Sequence, residues 1–345
     1  MRKLRLAALG AIVLQLLTAP PASAGNMLFA LSDPRITEAS GIACGVGSPG
    51  VLYVQNDSGD SARFFALDSR TGRTRVMYTV PDATNVDWED LGAAADTRGV
   101  DSVWIADIGD NDERRSSIAV YRVDEPVVGA AASASTRAPE VWRLRYPDRP
   151  HNAEALAVDS RRKVLYVATK AVSGRSDIFA VGMDSDGGRS QVMDRVGSVQ
   201  LGFTGTRGGP NVLGQRTVTG AAMSADGTRF VLRTYTDAYL WQVPGTLRAA
   251  LSTPPVRVAL PAQPLGEGIA FSGTDLLINS EKVGSAVYRV TIPTPSSASA
   301  TPAVKPQIAV PDGSNRSLMP WAVGIAAMLI GVLMLTRAAG SRRSR

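Results

Sequence analysis

Acidic residues recur at matching places along this chain. Glu38, Glu89, Glu154 and Glu267 each stand at the head of a short apolar run, and Asp57, Asp107, Lys170 and Arg233 fall at or beside the end of the run that follows. Carboxylates gathered with so few bases repel one another unless a cation, a proton or a basic side chain offsets the charge. With one cysteine and one histidine in 345 residues, the available donors are hard oxygens. Such donors suit Ca²⁺ or Mg²⁺ rather than zinc, and Glu38, Asp57, Glu89, Asp107 and Glu267 are the candidate ligands. Glu154 and His151, in PDRPHNAEA, are the candidate general bases, with Lys170 and Arg233 as stabilisers of developing negative charge. No GxSxG elbow supports a serine triad. NDSGD (56–60) and DIGDN (107–111) have the spacing of calcium loops, and equally of Asx-turns that close strand connections.

The elements that must position these residues follow from a five-fold echo: EASGIAC, WEDLGAA, NAEALAV, VTGAAMS and GEGIAFS, each followed by a second apolar run with a polar end. A long-period repeat of short strands separated by Gly, Asp and Ser turns predicts an all-β propeller of four-stranded blades. The first unit reads GIACGV, VLYVQN, RFFALD, TRVMYTV, and the second LGAAAD, VWIADI, IAVYRV, VWRLRYP. Five blades of about 50 residues fit this period; a sixth would require Ser190–Thr217 to hide a degenerate unit. The last unit has only three strands, so the N-terminal MLFALS (27–32) is expected to supply its fourth and close the ring. In a blade the innermost strand lines the channel and the next returns antiparallel. The head of the first and the tail of the second therefore share one mouth. Trp88, Trp104, Trp142 and Trp241 fall in or beside strands and read as blade packing.

The chain ends carry a different signal. Residues 1–24 have the basic start, apolar middle and Ala22-Ser23-Ala24 end of a secretory signal. Residues 25–292 are the propeller, 293–318 a Pro/Ser/Ala-rich tether, 319–335 an uncharged apolar run long enough to cross a bilayer, and 336–345 an arginine-rich tail. The tail belongs on the cytoplasmic side, so the propeller is expected outside the cell membrane on a single-pass anchor. The net charge of +6 (37 basic, 31 acidic) includes three basic residues in the signal and four in the tail; without those seven the balance is 30 to 31, or −1. The high pI is thus topological and does not argue for nucleic-acid binding.

NDSGDSARFFALD, NVDWEDLGAA, WIADIGDN, RYPDRPHNAEALAV and RTYTDAYLW resemble a group of secreted bacterial β-propellers related to the phytase-like and "esterase-like activity of phytase" propellers, and more distantly to gluconolactonase-type propellers. The resemblance spans Glu38 to Val290. It implies calcium at acidic channel residues, with Glu38, Asp57, Glu89, Asp107, Glu154 and Glu267 in the corresponding kind of position, and hydrolysis of phosphomonoesters. Phosphatases of this group need several basic residues facing the phosphate, and here only Lys170 and Arg233 meet that requirement.

Three functions are consistent with these residues. The first is a membrane-anchored binding module that holds a divalent cation and a small polar, phosphorylated or cell-envelope ligand. The second is a metal-dependent hydrolase of phosphoesters, esters or lactones using the same mouth. The third is a structural or protein-interaction scaffold.

Overall fold

The structure is a computed structural model that describes residues 25–184 and 189–293. Short β-branched and aromatic runs separated by turns form five sheets, one per repeat. Blade 1 pairs Ala39–Cys44, Val51–Asn56, Arg63–Asp68 and Thr74–Thr79 in sequence order. Blade 2 uses Trp88–Ala95, Asp101–Asp107, Ile118–Asp124 and Glu140–Arg145. Blade 3 uses Ala153–Asp159, Val164–Thr169, Arg175–Gly182 and Asp194–Gln200; blade 4 uses Val218–Met223, Arg229–Thr234, Asp237–Gln242 and Val256–Ala259. Blade 5 uses Gly266–Ser272, Asp275–Ser280 and Ala286–Val290, and its outer strand is the N-terminal Asn26–Ala30.

The ring therefore closes as the repeat predicts. Ser190–Thr217 holds no sixth blade: it gives the outer strand of blade 3 and a loop. That loop is tied to blade 4 because Thr204 and Thr206 donate their hydroxyls to Asp237, both at 2.8 Å. Two three-residue strands escape sequence reading. Ser133–Ser135 runs parallel to the outer strand of blade 1, and Ser190–Val192 parallel to that of blade 2. Each covers a sheet edge that would otherwise be open.

The core is divided into five wedges rather than gathered at one centre. Each apolar cluster lies between two neighbouring blades, including the pair formed by blades 5 and 1. Trp88, Trp104, Trp142 and Trp241 are all buried in these wedges, with the Trp104 and Trp142 rings 5.0 Å apart. Among the described residues all five sheets and wedges fall within Asn26–Ile292, a compact unit that holds its own core.

Residues assigned by sequence to the signal (1–24), all but the first residue of the tether (293–318), the apolar run (319–335) and the basic tail (336–345) lie outside the described residues. Among the described residues no helix is long and apolar enough to cross a membrane.

Closure makes a direct prediction. Removing residues 25–31 should expose the strand Ala286–Val290 and strip Phe29 and Leu31 from the wedge between blades 5 and 1. Loss of two buried apolar side chains costs several kcal/mol, about 2–5 for each by analogy with truncation to alanine. The expected result is a much lower urea midpoint and self-association in sedimentation. An unchanged midpoint would show that the strand does not lock the ring.

Candidate functional site

Each inner strand begins with a β-bulge, an irregularity that re-aims the side chain it carries. The pairing of Trp88 with Asp107 is followed by Asp90 with Ala106, leaving Glu89 as the extra residue. The same register shift leaves Glu154 and Thr219 extra in blades 3 and 4, and falls between Ala39 and Ile42 in blade 1 and between Gly266 and Ile269 in blade 5. Aligned on the residue paired just before the shift, the five bulge positions are Ser40, Glu89, Glu154, Thr219 and Glu267. Glu38 thus does not share the position of the other glutamates. It stands two residues earlier and is exposed, while Ser40 occupies the bulge and donates its hydroxyl to the carbonyl of Glu89. Thr219 likewise donates to the carbonyls of Gly266 and Glu267, at 3.0 and 3.1 Å. The hydroxyl bulges bind neighbouring blades together; the carboxylate bulges do not.

The next position along is closed to side chains in most blades. A Cβ on Gly41 would lie 2.5 Å from the Leu91 nitrogen, and one on Gly268 would lie 2.7 Å from that of Ile42. Gly220 and Ala155 share this position, and only blade 2 carries a larger residue there, Asp90. Its carboxylate is fully buried and crosses the axis. Oδ1 accepts from the Leu91 N–H at 2.8 Å, while Oδ2 accepts from Leu156 and Ala221 of blades 3 and 4 at 2.9 and 3.3 Å. Burial raises its pKa, and the three N–H donors work against that rise.

Above this plug, Asp57, Asp87 and Glu89 each place a carboxylate oxygen within 4.8 Å of the others. Asp57 follows the second strand of blade 1, Asp87 precedes the inner strand of blade 2, and Glu89 is its bulge residue. No lysine or arginine forms an ion pair with any of the three among the described residues. The neighbouring carboxylates are satisfied differently. Glu154 pairs with Lys170 at 2.7 Å, and the Lys170 ammonium also lies 5.6 Å from the centre of the Tyr235 ring. Asp107 pairs with Arg115 at 2.8 Å and accepts from the Asp87 N–H at 3.1 Å.

The electrostatics follow from this arrangement. Burial, then the charge of Asp57, pushes Asp87 up to about 6. Burial, then the charges of Glu154 and Asp57, raises Glu89 well above the ordinary carboxylate range. Asp57 and Glu267 are raised chiefly by burial, and Glu281 reaches about 7 through burial and the charges of Asp57, Glu38 and Glu154. Burial opposes the charge on Lys170, but Glu154 and Glu267 outweigh it and hold the ammonium protonated.

Several predicted site residues have other duties. Arg233 is fully buried under blade 5, where it donates to the carbonyls of Gly268 and Asn279 at 2.5 and 2.8 Å and to Gln263 at 2.6 Å. Its guanidinium joins blades 4 and 5 and does not form the rim. The ring of His151 is buried against Tyr146 and Phe179 with Nε2 on Asp148 at 2.9 Å, apart from the three carboxylates. In NDSGD, Asn56 reaches Asp60 at 2.7 Å and Asp60 pairs with Arg63, so only Asp57 joins the cluster. In DIGDN, Asp107 and Asp110 are both engaged by Arg115. Neither loop wraps a cation by itself.

Asp87 and Gly109 complete the cluster without having been singled out as ligands or supports by sequence. Gly109 lies so close to the Glu89 Oε1 and Asp87 Oδ2 atoms that a Cβ there would collide with both. The only sequence signals were the position of Asp87 two residues before Glu89 and the glycine in DIGDN.

No protein-family model matches this chain, and no curated protein does. Among solved structures, a chain of the nidogen/laminin complex is 14% identical with a TM-score of 0.38, covering 71% of this chain and 73% of that one. A chain of the mitotic checkpoint complex is 13% identical with a TM-score of 0.35; the match covers 74% of this chain and 64% of that one, just under two thirds of its length. Likenesses this distant carry no argument about ligand or activity. The propeller assignment rests on the strand order itself.

Two outcomes are expected. Asp90→Asn replaces one acceptor oxygen with a donor facing backbone N–H groups and should cost about 1–3 kcal/mol in urea unfolding; an unperturbed midpoint would mean that the axial contacts carry no weight. Asp87 and Glu281 contribute to the pH dependence. Because their folded pKa values lie above the unfolded ones, their stabilising contribution is complete below about pH 4. It is lost as pH rises through about 6 and about 7. In chelator the melting temperature should fall over that window, and Asp87→Asn should remove part of the fall. An equal fall in the variant would contradict the repulsion described here.

Proposed function

We propose that this propeller is a binding module that holds a divalent cation, Ca²⁺ by its donor chemistry, at Asp57, Asp87 and Glu89, and through that cation a small anionic or polar ligand. One observation carries the reading: three carboxylate oxygens lie within 4.8 Å of one another, and none of the three residues is ion-paired to a lysine or arginine among the described residues. Hard cations of this kind take six to eight oxygens at about 2.3–2.6 Å, so three protein carboxylates would leave positions for water and ligand oxygens. The likeness of the sequence to phytase-like propellers supports the choice of calcium. Lys170 beside the cluster supplies a second positive centre for an anionic ligand. On the sequence reading of the chain ends, the module stands outside the cell membrane on a single-pass anchor, where a cell-envelope component would be within reach.

The Lys170–Glu154 pair favours a second reading, a metal-dependent hydrolase of phosphoesters, esters or lactones. There Lys170 would orient the anionic substrate and Glu154 would hold or accept a proton. His151 and Arg233 take no part, since both are committed to structural contacts.

Calorimetric titration of Ca²⁺ and then Mg²⁺ into chelator-stripped residues 25–293 tests the proposal. The expected result is one Ca²⁺ site that raises the melting temperature and is weakened at least about ten-fold by Glu89→Gln, the loss of one charged ligand. Gly109→Ala should weaken it as well, although it removes no ligand, because the new methyl displaces two carboxylates. No heat at millimolar metal would overturn the proposal. Turnover of a phosphoester and lactone panel, lost in Glu154→Gln with the fold retained, would establish the hydrolase; its absence with metal bound leaves the binding module.

A further inference from the structure

The channel has a second end, independent of the acidic mouth. Past the plug stands a ring of buried apolar residues, one from each inner strand, that line the cavity: Ile42, Leu91, Leu156, Ala221 and Ile269. Beyond that ring the strands enclose a funnel of about 570 Å³. Ligand sites for small molecules typically measure about 300–1,000 Å³. The wall is built from small apolar residues such as Ala43, Ala93, Ala95 and Ala222, with Met223 and Phe271 as the larger ones. Alanines at the ends of the inner strands leave open the space that larger side chains would fill.

The rim carries two arginines. Arg229 lies 4.8 Å over the Phe271 ring and donates to the Gly273 carbonyl at 2.9 Å, without an ion pair among the described residues. Arg161 is exposed and also forms no ion pair among the described residues. Asp226 is the single acid in the lining; hydroxyls of Ser224 and Thr228 at 2.6 and 2.8 Å hold it ionised, and its charge offsets part of that of Arg229. An apolar funnel whose rim offers two arginines, Arg161 without an ion pair among the described residues and Arg229 partly offset by the charge of Asp226, complements a molecule with an apolar tail and an anionic head. The described chain also ends on this face: the last strand runs to Val290, paired with Leu276, three residues after Gly273 of the funnel lining. The apolar run 319–335 follows in sequence, so on the membrane-anchor reading acyl chains are the ligand class at hand.

We propose that this funnel binds a single-chain anionic amphiphile, its acyl chain among the alanines of the inner strands and its head group at Arg161 and Arg229. The guanidinium groups offer forked donors to a carboxylate or phosphate.

Cys44 is the chain's single cysteine and lines the funnel, so it serves as a built-in probe. The experiment measures iodoacetamide alkylation of Cys44 in residues 25–293 by intact mass, with monomeric dodecanoate, dodecyl maltoside, or phosphatidylglycerol vesicles added. Dodecanoate should slow alkylation at least about five-fold, in line with burial of an apolar chain in a preformed pocket. Arg161→Ser, at an exposed position, should weaken dodecanoate about two- to five-fold, the size of an exposed ion pair, and leave dodecyl maltoside unchanged. Ala222→Phe, with its fold checked by circular dichroism, should lose the protection. Three results would overturn the proposal: an unchanged rate with dodecanoate, equal protection by dodecanoate in Ala222→Phe, or protection by vesicles alone, which would mark a surface contact with membrane instead of a single-chain site.

Discussion

Asp90 and the narrowness of the axis it crosses constrain everything else in this propeller. Five inner strands approach so closely that three of them must carry glycine at the axial position, and a fourth carries alanine. The remaining strand supplies one carboxylate, which gathers backbone N–H groups from three blades. A buried carboxylate with fewer donors would be costly; with three it becomes a pin that fixes the blades relative to one another. The pin also divides the channel. Above it lies an acidic mouth, below it an apolar funnel.

The division of labour among the bulges then becomes intelligible. A propeller needs its inner strands joined to one another, and Ser40, Thr219 and the buried Arg233 provide those joints with hydroxyl and guanidinium donors aimed at neighbouring carbonyls. Once these hold, the bulges of blades 2 and 3 are free to present Glu89 and Glu154 towards the mouth. Lys170 neutralises one side of that mouth and leaves Asp57, Asp87 and Glu89 facing each other. Such a cluster of like charges lowers the stability of the fold when its members are ionised.

Much of this fold was legible in the sequence. Short strands, their five-fold repeat and the missing fourth strand of the last unit together imply a ring closed by the N-terminus, and packing tryptophans mark its wedges. The site was less legible because a shift of one residue turns a strand side chain to the other face, and a bulge is such a shift. Glu38 aligns with the other glutamates by pattern, yet the bulge position belongs to Ser40. Arg233 and His151 lie near the mouth in sequence order, but each side chain turns into the protein, towards partners that spacing alone does not reveal. Asp87 and Gly109 come together with Glu89 only because two connections of blade 2 meet in space. The covering strands Ser133–Ser135 and Ser190–Val192 are too short to show an alternating pattern.

The most direct test of the acidic mouth is crystallographic. Crystals of residues 25–293 grown with Mn²⁺ or a lanthanide as a calcium substitute, measured at the metal's absorption edge, would show where a cation binds. The present reading predicts an anomalous peak at coordinating distance from Asp57, Asp87 and Glu89. Fully ordered carboxylates with no peak between them, at millimolar metal and neutral pH, would contradict it and leave the mouth a structural network.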